Sequence, residues 1–309
     1  MTTIFIDGSA GTTGLRIRER LSARADLHLL TLPEELRKEP SARKDAMAQA
    51  DVTFLCLPDA AAREAVALAV GTKTALIDTS TAHRISPDWT YGFPELTGMR
   101  EKIAASKRIA NPGCHASGFV ALVAPLVKNG LLRSDARLSC FSLTGYSGGG
   151  KSMIAAYQSE GRDALLSAPR QYGLAQTHKH LPEMQVFSGL ETPPLFCPIV
   201  ADFYSGMEVT VPLFASDLLG TISDVKAAYA DCYQSRILHY DGEAEQIEGG
   251  FLSAGTFAGR DDMQITVCGN EERMLLIARF DNLGKGASGA AIQNLNLLLG
   301  VDETAGLIL

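Results

Sequence analysis

Cys114 stands in the run Asn111-Pro112-Gly113-Cys114-His115-Ala116-Ser117-Gly118. Asn-Pro-Gly is turn chemistry, with Pro112 fixing its own φ and Gly113 able to take a positive one. From Phe119 the chain reads Phe-Val-Ala-Leu-Val-Ala-Pro-Leu-Val. That pattern predicts a buried helix whose first turn holds or closely follows Cys114. A thiol there meets unpaired backbone N–H groups and the positive end of a helix dipole, which favour the thiolate. The same donors could hold an oxyanion. A buried cysteine can equally be a small apolar filler, so its partners decide.

Those partners are in His178-Lys179-His180-Leu181-Pro182-Glu183, two histidines and an acid in a short run. An imidazole beside a thiol serves as base and acid, and a carboxylate orients the ring. A metal reading needs a third Cys or His at close spacing, which is missing, so no metal is expected. Ser147-Gly148-Gly149-Gly150-Lys151-Ser152 lacks the spacing of a nucleotide phosphate loop. Its glycine backbone at Gly148, with Lys151, could still cradle a substrate phosphate or the nicotinamide end of a cofactor.

The elements that position these groups begin with a nucleotide-binding pattern. Ile4-Phe5-Ile6, then Gly8-Ser9-Ala10-Gly11-Thr12-Thr13-Gly14, then Leu15 to Leu21 reads as strand, glycine turn and helix. Glycines there let a pyrophosphate approach the backbone at a helix N-terminus. After the next strand, Leu27–Leu32, no acid stands ready for ribose hydroxyls; Thr31-Leu32-Pro33 is followed by Arg37 and Lys38. That favours NADP over NAD. Val52–Asp59, a helix over Ala60–Val70, and Thr74–Ser80 continue the alternation, which predicts a parallel sheet covered on both faces. Asp59 and Ser80 then fall at strand C-termini, where such sheets bind ligands.

From Leu138 the pattern changes to longer strands, at 138–143, 195–200, 208–213, 264–268 and 274–278, without regular crossover helices. The expectation is a mostly antiparallel second sheet. The small and apolar tail from Gly286 to Leu299 reads as a helix returning to the first domain. The predicted architecture is therefore α/β: a Rossmann-type domain, 1–116 with 287–309, and an α+β catalytic and dimerisation domain, 117–286. With 309 residues, 46% hydrophobic and 20% charged, the chain is long enough for two cores. It has no apolar run of about 18 residues that could span a bilayer. A net charge of −7 without a Lys/Arg block disfavours nucleic acid. Six scattered cysteines with no C-x-x-C pair, and an opening that reads as a strand rather than a leader, lead to the expectation of reduced thiols in the cytoplasm.

The glycine run, Leu57-Pro58-Asp59, Asp78-Thr79-Ser80-Thr81-Ala82-His83-Arg84, Tyr91-Gly92-Phe93-Pro94-Glu95, Asn111-Pro112-Gly113-Cys114, Ser147–Gly150, His178–Glu183 and Lys285-Gly286-Ala287-Ser288-Gly289-Ala290-Ala291 occur in a telling order. Together they resemble the N-acetyl-γ-glutamyl-phosphate reductases, in the shorter of two subtypes, along essentially the whole chain. Aspartate-semialdehyde dehydrogenases share the plan, and a semialdehyde dehydrogenase acting on another acyl phosphate is the alternative. Gly149 and His115 depart from the longer subtype, which tends to carry alanine and an aromatic residue there.

The resemblance implies NADPH-dependent reduction of N-acetyl-L-glutamyl 5-phosphate through a Cys114 thioester, in arginine biosynthesis. It implies His178 as acid/base with Glu183 orienting it, and His180 in reserve. NADP(H) would lie on Gly8, Ser9, Gly11, Thr12, Thr13 and Gly14, with Leu57, Pro58, Ser80, Gly148, Lys285 and Gly286 also expected at the cofactor. Asn111, Arg84, Lys151 and His180 are expected on the substrate, and a homodimer or homotetramer is the expected assembly.

Overall fold

A computed structural model describes residues 1–247 and 249–309. The chain forms two compact units, one of residues 1–113 with 287–307 and one of 114–286 with 308–309.

In the first unit the strands β1 (Thr2–Asp7), β2 (Leu27–Leu30), β3 (Val52–Leu55), β4 (Ala75–Asp78), β5 (Thr90–Tyr91) and β6 (Arg108–Ala110) form a sheet ordered β2-β1-β3-β4-β6-β5. Every pairing is parallel. Helices α1 (Thr12–Ser22), α2 (Pro40–Gln49), α3 (Asp59–Leu68) and α4 (Met99–Ala104) connect them. Alternate residues of β1 feed opposite cores. Ile4 and Ile6 join Ile17, Phe54 and Ile77 on one face, while Phe5 joins Met47, Leu55 and Leu76 on the other. The tail helix Gly289–Leu299 supplies Ala291, Ile292 and Leu295 to the first of these cores. Register matters most for function: Asp7, Leu55, Asp78 and Ala110 stand side by side. The loops that follow them therefore leave from one edge of the sheet.

The second unit opens with α5 (Cys114–Lys128), so residues 114–116, grouped above with the first domain, belong here because that helix is continuous. There follow β7 (Ser139–Gly145), α6 (Gly150–Gln158), β8 (Arg170–Gln171), α7 (Leu181–Ser188), β9 (Leu195–Ala201), β10 (Met207–Phe214), α8 (Ile222–Cys232), β11 (Leu238–Tyr240), β12 (Met263–Gly269) and β13 (Arg273–Phe280). The sheet order is β11-β12-β13-β10-β7-β9-β8. Most pairings are antiparallel as expected, but β7 with β9 and β11 with β12 are parallel. The first of these needs a crossover, made by the segment carrying α6 and α7, which the strand spacing did not disclose.

Pro125 lies inside α5, whose interior is buried. Proline cannot donate to the carbonyl four residues back and crowds that turn. A tyrosine from the α8 region makes good the loss: Tyr233 donates to the Ala121 carbonyl at 2.6 Å, and beside it Tyr229 donates to that of Leu122. We expect Tyr233→Phe to destabilise the protein by about 1–3 kcal/mol, read as a lower denaturant midpoint, since a buried carbonyl loses its partner. A midpoint equal to that of the parent would refute this.

Candidate active site

The glycine turn after β1 is built for close approach. Gly8 has φ +87°, and a Cβ on it would run into the Cys56 main chain; one on Gly14 would stand 2.6 Å from the Gly8 carbonyl oxygen. Gly11 caps α1, which begins at Thr12-Thr13 and has no acid in its first turn. Its N–H groups thus face an edge suited to an anion. Beside the turn lies a cavity of about 320 Å³, lined by Gly8, Ser9, Leu32 and Leu57 and by the cations Arg18, Arg37 and Lys38, with Glu34 among them. Pro58 stands just before α3 as its N-cap. Below the turn, buried Asp7 takes Arg43 Nε and Nη2 at 3.0 and 2.9 Å, and burial raises its carboxyl above the usual range against the pull of Arg43. A cradle that only glycine fits, a helix N-terminus and an adjacent cationic cavity suit a dinucleotide.

Three residues expected on ligands are also tied into the fold. Ser80 donates its hydroxyl to Asp78 Oδ2 at 2.8 Å, in a buried turn where Asp78 also holds His83 Nδ1 at 2.6 Å. The Arg84 guanidinium is buried and donates to the main-chain carbonyls of Asn111 and Thr79, at 3.0 and 3.3 Å. Asn111 donates to the Ala287 carbonyl at 3.0 Å and accepts from Asn294 at 3.1 Å. These groups shape the turn that delivers the chain to Cys114. A composition-based reading counts polar side chains but cannot see that the fold also pairs them with its own groups.

In the second unit Cys114 is the first residue of α5 and is partly exposed. Its backbone position, at the positive end of the helix dipole, is one that favours an anion. Gly286 lies so close that a Cβ there would come within 2.9 Å of the Cys114 Cβ. It belongs to the wide turn Gly284–Ser288, held by Asp281, and carries buried Lys285 beside it.

His178 and His180 do not lie on an extended segment, as their spacing was read, but in a turn that runs into α7, with the Leu181 N–H on the His178 carbonyl. The His180 N–H donates to His178 Nδ1 at 3.2 Å. Since an amide can only donate, the proton of neutral His178 sits on Nε2. The two rings meet edge to face at 4.7 Å; His178 is partly exposed and His180 is buried. Glu183 is buried in the first turn of α7. Lys151 is exposed on α6, and Gly148 lies in the tight turn before it.

Sequence reasoning missed what holds this cluster together. His115 is buried, with Nδ1 at 2.6 Å from Ser142 Oγ and Nε2 at 2.7 Å from the Tyr172 hydroxyl. Its ring lies 5.7 Å from His178 and 5.5 Å from His180, and Phe196 packs against it. Burial and the nearby Cys114 push the Tyr172 phenol up, which places that hydroxyl in the field of the thiol. Adjacency to Cys114 was the one signal for His115; nothing in the sequence pointed to Tyr172 or Ser142.

Comparison with known proteins agrees with this division. Residues 8–106 match the family model "Semialdehyde dehydrogenase, NAD binding domain", and residues 114–282 match "Semialdehyde dehydrogenase, dimerisation domain". The chain is 46% identical over 305 residues to the N-acetyl-gamma-glutamyl-phosphate reductase of Brucella suis, covering 96% of this chain and 98% of the relative. The Brucella ovis protein of that name is matched equally well, at 46% over the same shares. Among solved structures, aspartate semialdehyde dehydrogenase II of Vibrio cholerae superposes with TM-score 0.74 at 16% identity, covering 97% of this chain and 98% of that one. The Francisella tularensis aspartate semialdehyde dehydrogenase gives 0.72 at 13%, over 97% and 100%. At those identities the likeness is one of fold.

Proposed function

The chain belongs to the N-acetyl-gamma-glutamyl-phosphate reductases within the semialdehyde dehydrogenase family, and from that premise we propose that it reduces N-acetyl-L-glutamyl 5-phosphate to N-acetyl-L-glutamate 5-semialdehyde, in arginine biosynthesis, by way of a Cys114 thioester. The observation that carries the reading is full-length identity to enzymes of that name, joined to a cysteine at the head of a helix beside a histidine cluster. Cys114 sulfur forms a bond to the acyl carbon while the bond from that carbon to the phosphate oxygen breaks. His178 Nε2–H is the donor for the developing charge on the acyl oxygen, and the N–H groups at the start of α5 support it. The nicotinamide cofactor, when bound, supplies the hydride that the thioester carbon accepts. Breaking the carbon–sulfur bond returns Cys114 to its thiolate, and the aldehyde leaves.

The cofactor is NADP(H), held on Gly8–Gly14 with Leu57 and Pro58. Arg18, Arg37 and Lys38 in the adjoining cavity, and the absence of an acid directly after β2, suit a 2′-phosphate. NADPH should exceed NADH in kcat/KM by roughly 10-fold or more, and Arg37→Ala with Lys38→Ala should erode that margin. Equal use of the two coenzymes by the parent enzyme would refute the assignment.

The assembly is a homo-oligomer through the open face of the second sheet. Leu143, Phe141, Leu275 and Leu195 line that face, and Phe141, Leu275 and Leu195 are exposed. The occupant is a second copy, since the family model matched by this unit is described as a dimerisation domain. Phe141→Glu should shift the protein toward monomer in sedimentation; unchanged mass would refute the interface. Among the described residues no helix is long and apolar enough to cross a membrane, and we assign the enzyme to the cytoplasm on its six thiols without a disulfide.

The deciding assay is phosphate-dependent reduction of NADP+ with N-acetyl-L-glutamate 5-semialdehyde, run beside aspartate semialdehyde. Turnover confined to the acetylated substrate is expected; turnover confined to aspartate semialdehyde would overturn the reading.

A further inference from the structure

We propose that Gln176 is a positioning residue for the acid/base of the reaction: its carboxamide stands in for a strand backbone along β9 and so fixes the turn that carries His178. The inference rests on the reading of His178 given above, and it concerns a residue which that mechanism leaves unused.

β8 is an edge strand of the second sheet and pairs with β9 in antiparallel register, Arg170 with Val200 and Gln171 with Ile199. The ladder runs one residue further, where the Tyr172 N–H donates to the Pro198 carbonyl at 3.0 Å. At Gly173, with φ +64°, the chain then turns away. Phe196 is buried and stands two residues before Pro198, so its main-chain groups point to the same edge. No strand backbone follows Tyr172 to meet them. Gln176 meets both: Oε1 accepts the Phe196 N–H at 2.9 Å, and Nε2 donates to the Phe196 carbonyl at 2.7 Å. Because a backbone N–H only donates, these two contacts allow one orientation of the carboxamide. A side chain thus completes the ladder after the backbone has left it.

Reaching that place strains the chain. Gln176 has φ +55°, and among the described residues it is the one non-glycine in the left-handed region. A residue with a long side chain takes that conformation only where its surroundings hold it, and such positions gather at functional sites. What this clamp holds is specific. His178 follows two residues later, and its ring packs edge-on against the Phe196 ring at 5.1 Å. Gln176 therefore fixes His178 from two sides, through the chain itself and through Phe196, on which the imidazole rests. A turn that needed only a positive φ would be served by glycine, as at Gly173. The carboxamide is what glycine cannot supply.

The test uses the full-length protein and the phosphate-dependent reduction of NADP+ with N-acetyl-L-glutamate 5-semialdehyde, at a temperature where circular dichroism shows each variant folded. Gln176→Gly removes the carboxamide and relieves the backbone, while Gln176→Asn keeps a carboxamide one methylene too short to reach β9. Each should lower kcat by about 10-fold with KM for NADP+ and for the aldehyde little changed, since a displaced acid/base loses rate rather than binding. Gln176→Glu keeps the length and the acceptor but loses the donor, and should fall between these variants and the parent. In the His178→Ala background Gln176→Gly should lower kcat no further, because it acts through the ring already removed. A clamp that served stability alone would not show that non-additivity. Parental kcat in Gln176→Gly, or additive losses in the double variant, would overturn the proposal. Should Gln176→Gly not fold, parental kcat in Gln176→Asn overturns it instead. Full turnover in His178→Ala would overturn the reading of His178 and this proposal with it, an outcome separable from the others because residue 176 is unchanged in that variant.

Discussion

Cys114→Ser is expected to lose turnover by several orders of magnitude while cofactor affinity stays close to that of the parent. Both halves of that result follow from where the residue sits. In the proposed mechanism the sulfur makes and breaks the bond to the acyl carbon, and a serine hydroxyl at the same place lacks the nucleophilicity of a thiolate, so the loss falls on the covalent step. The glycine turn proposed for the cofactor belongs to the other unit, built from β1 and α1, and none of its residues is changed. Steady-state kinetics and a cofactor titration read the two halves separately. The other cysteines lie in different settings: burial pushes Cys56 up to about 12, Cys140 is pushed higher still, and burial also raises Cys232. Their thiols are held in the unreactive form. Substantial activity in Cys114→Ser would end the thioester mechanism.

His178→Ala should remove most of the remaining power of the site, by roughly 10²–10⁴-fold in kcat, and with it the limb of the pH–rate profile that an imidazole contributes near neutrality. The geometry favours His178 over His180 for this role. His178 is the more exposed ring, and its Nδ1 accepts from the His180 amide, which puts the proton of the neutral ring on Nε2. That amide comes from the main chain of residue 180, so His180→Ala preserves it and should act mainly on KM. Glu183→Gln should fall between the two. If instead His180→Ala damages kcat more and the pH limb survives in His178→Ala, the two roles exchange.

Much of this protein was legible in its residues because the signals are local. A glycine turn after an apolar strand, Asn-Pro-Gly before an apolar helix, and the switch from alternating strands and helices to longer strands each depend on neighbours in sequence. They determined a dinucleotide-binding unit, a second unit with a largely antiparallel sheet, and a thiol at the head of a helix. The order of motifs along the whole chain determined the family.

Tertiary structure decided which polar side chains are available for chemistry. Ser80, Arg84 and Asn111 read as ligand-binding groups, yet each is engaged by an aspartate, a main-chain carbonyl or a neighbouring amide, because a buried polar group must be paired by whatever the fold brings to it. His115, Ser142 and Tyr172 come from α5, β7 and the segment after β8, and only their packing turns them into a chain of hydrogen bonds. The Ala121 carbonyl freed by Pro125 finds its donor on Tyr233, more than 100 residues away. Sequence spacing reports what can fold locally; the pairing of buried donors with acceptors across the chain is fixed by the tertiary structure alone, since the low dielectric of the interior penalises every group left without one.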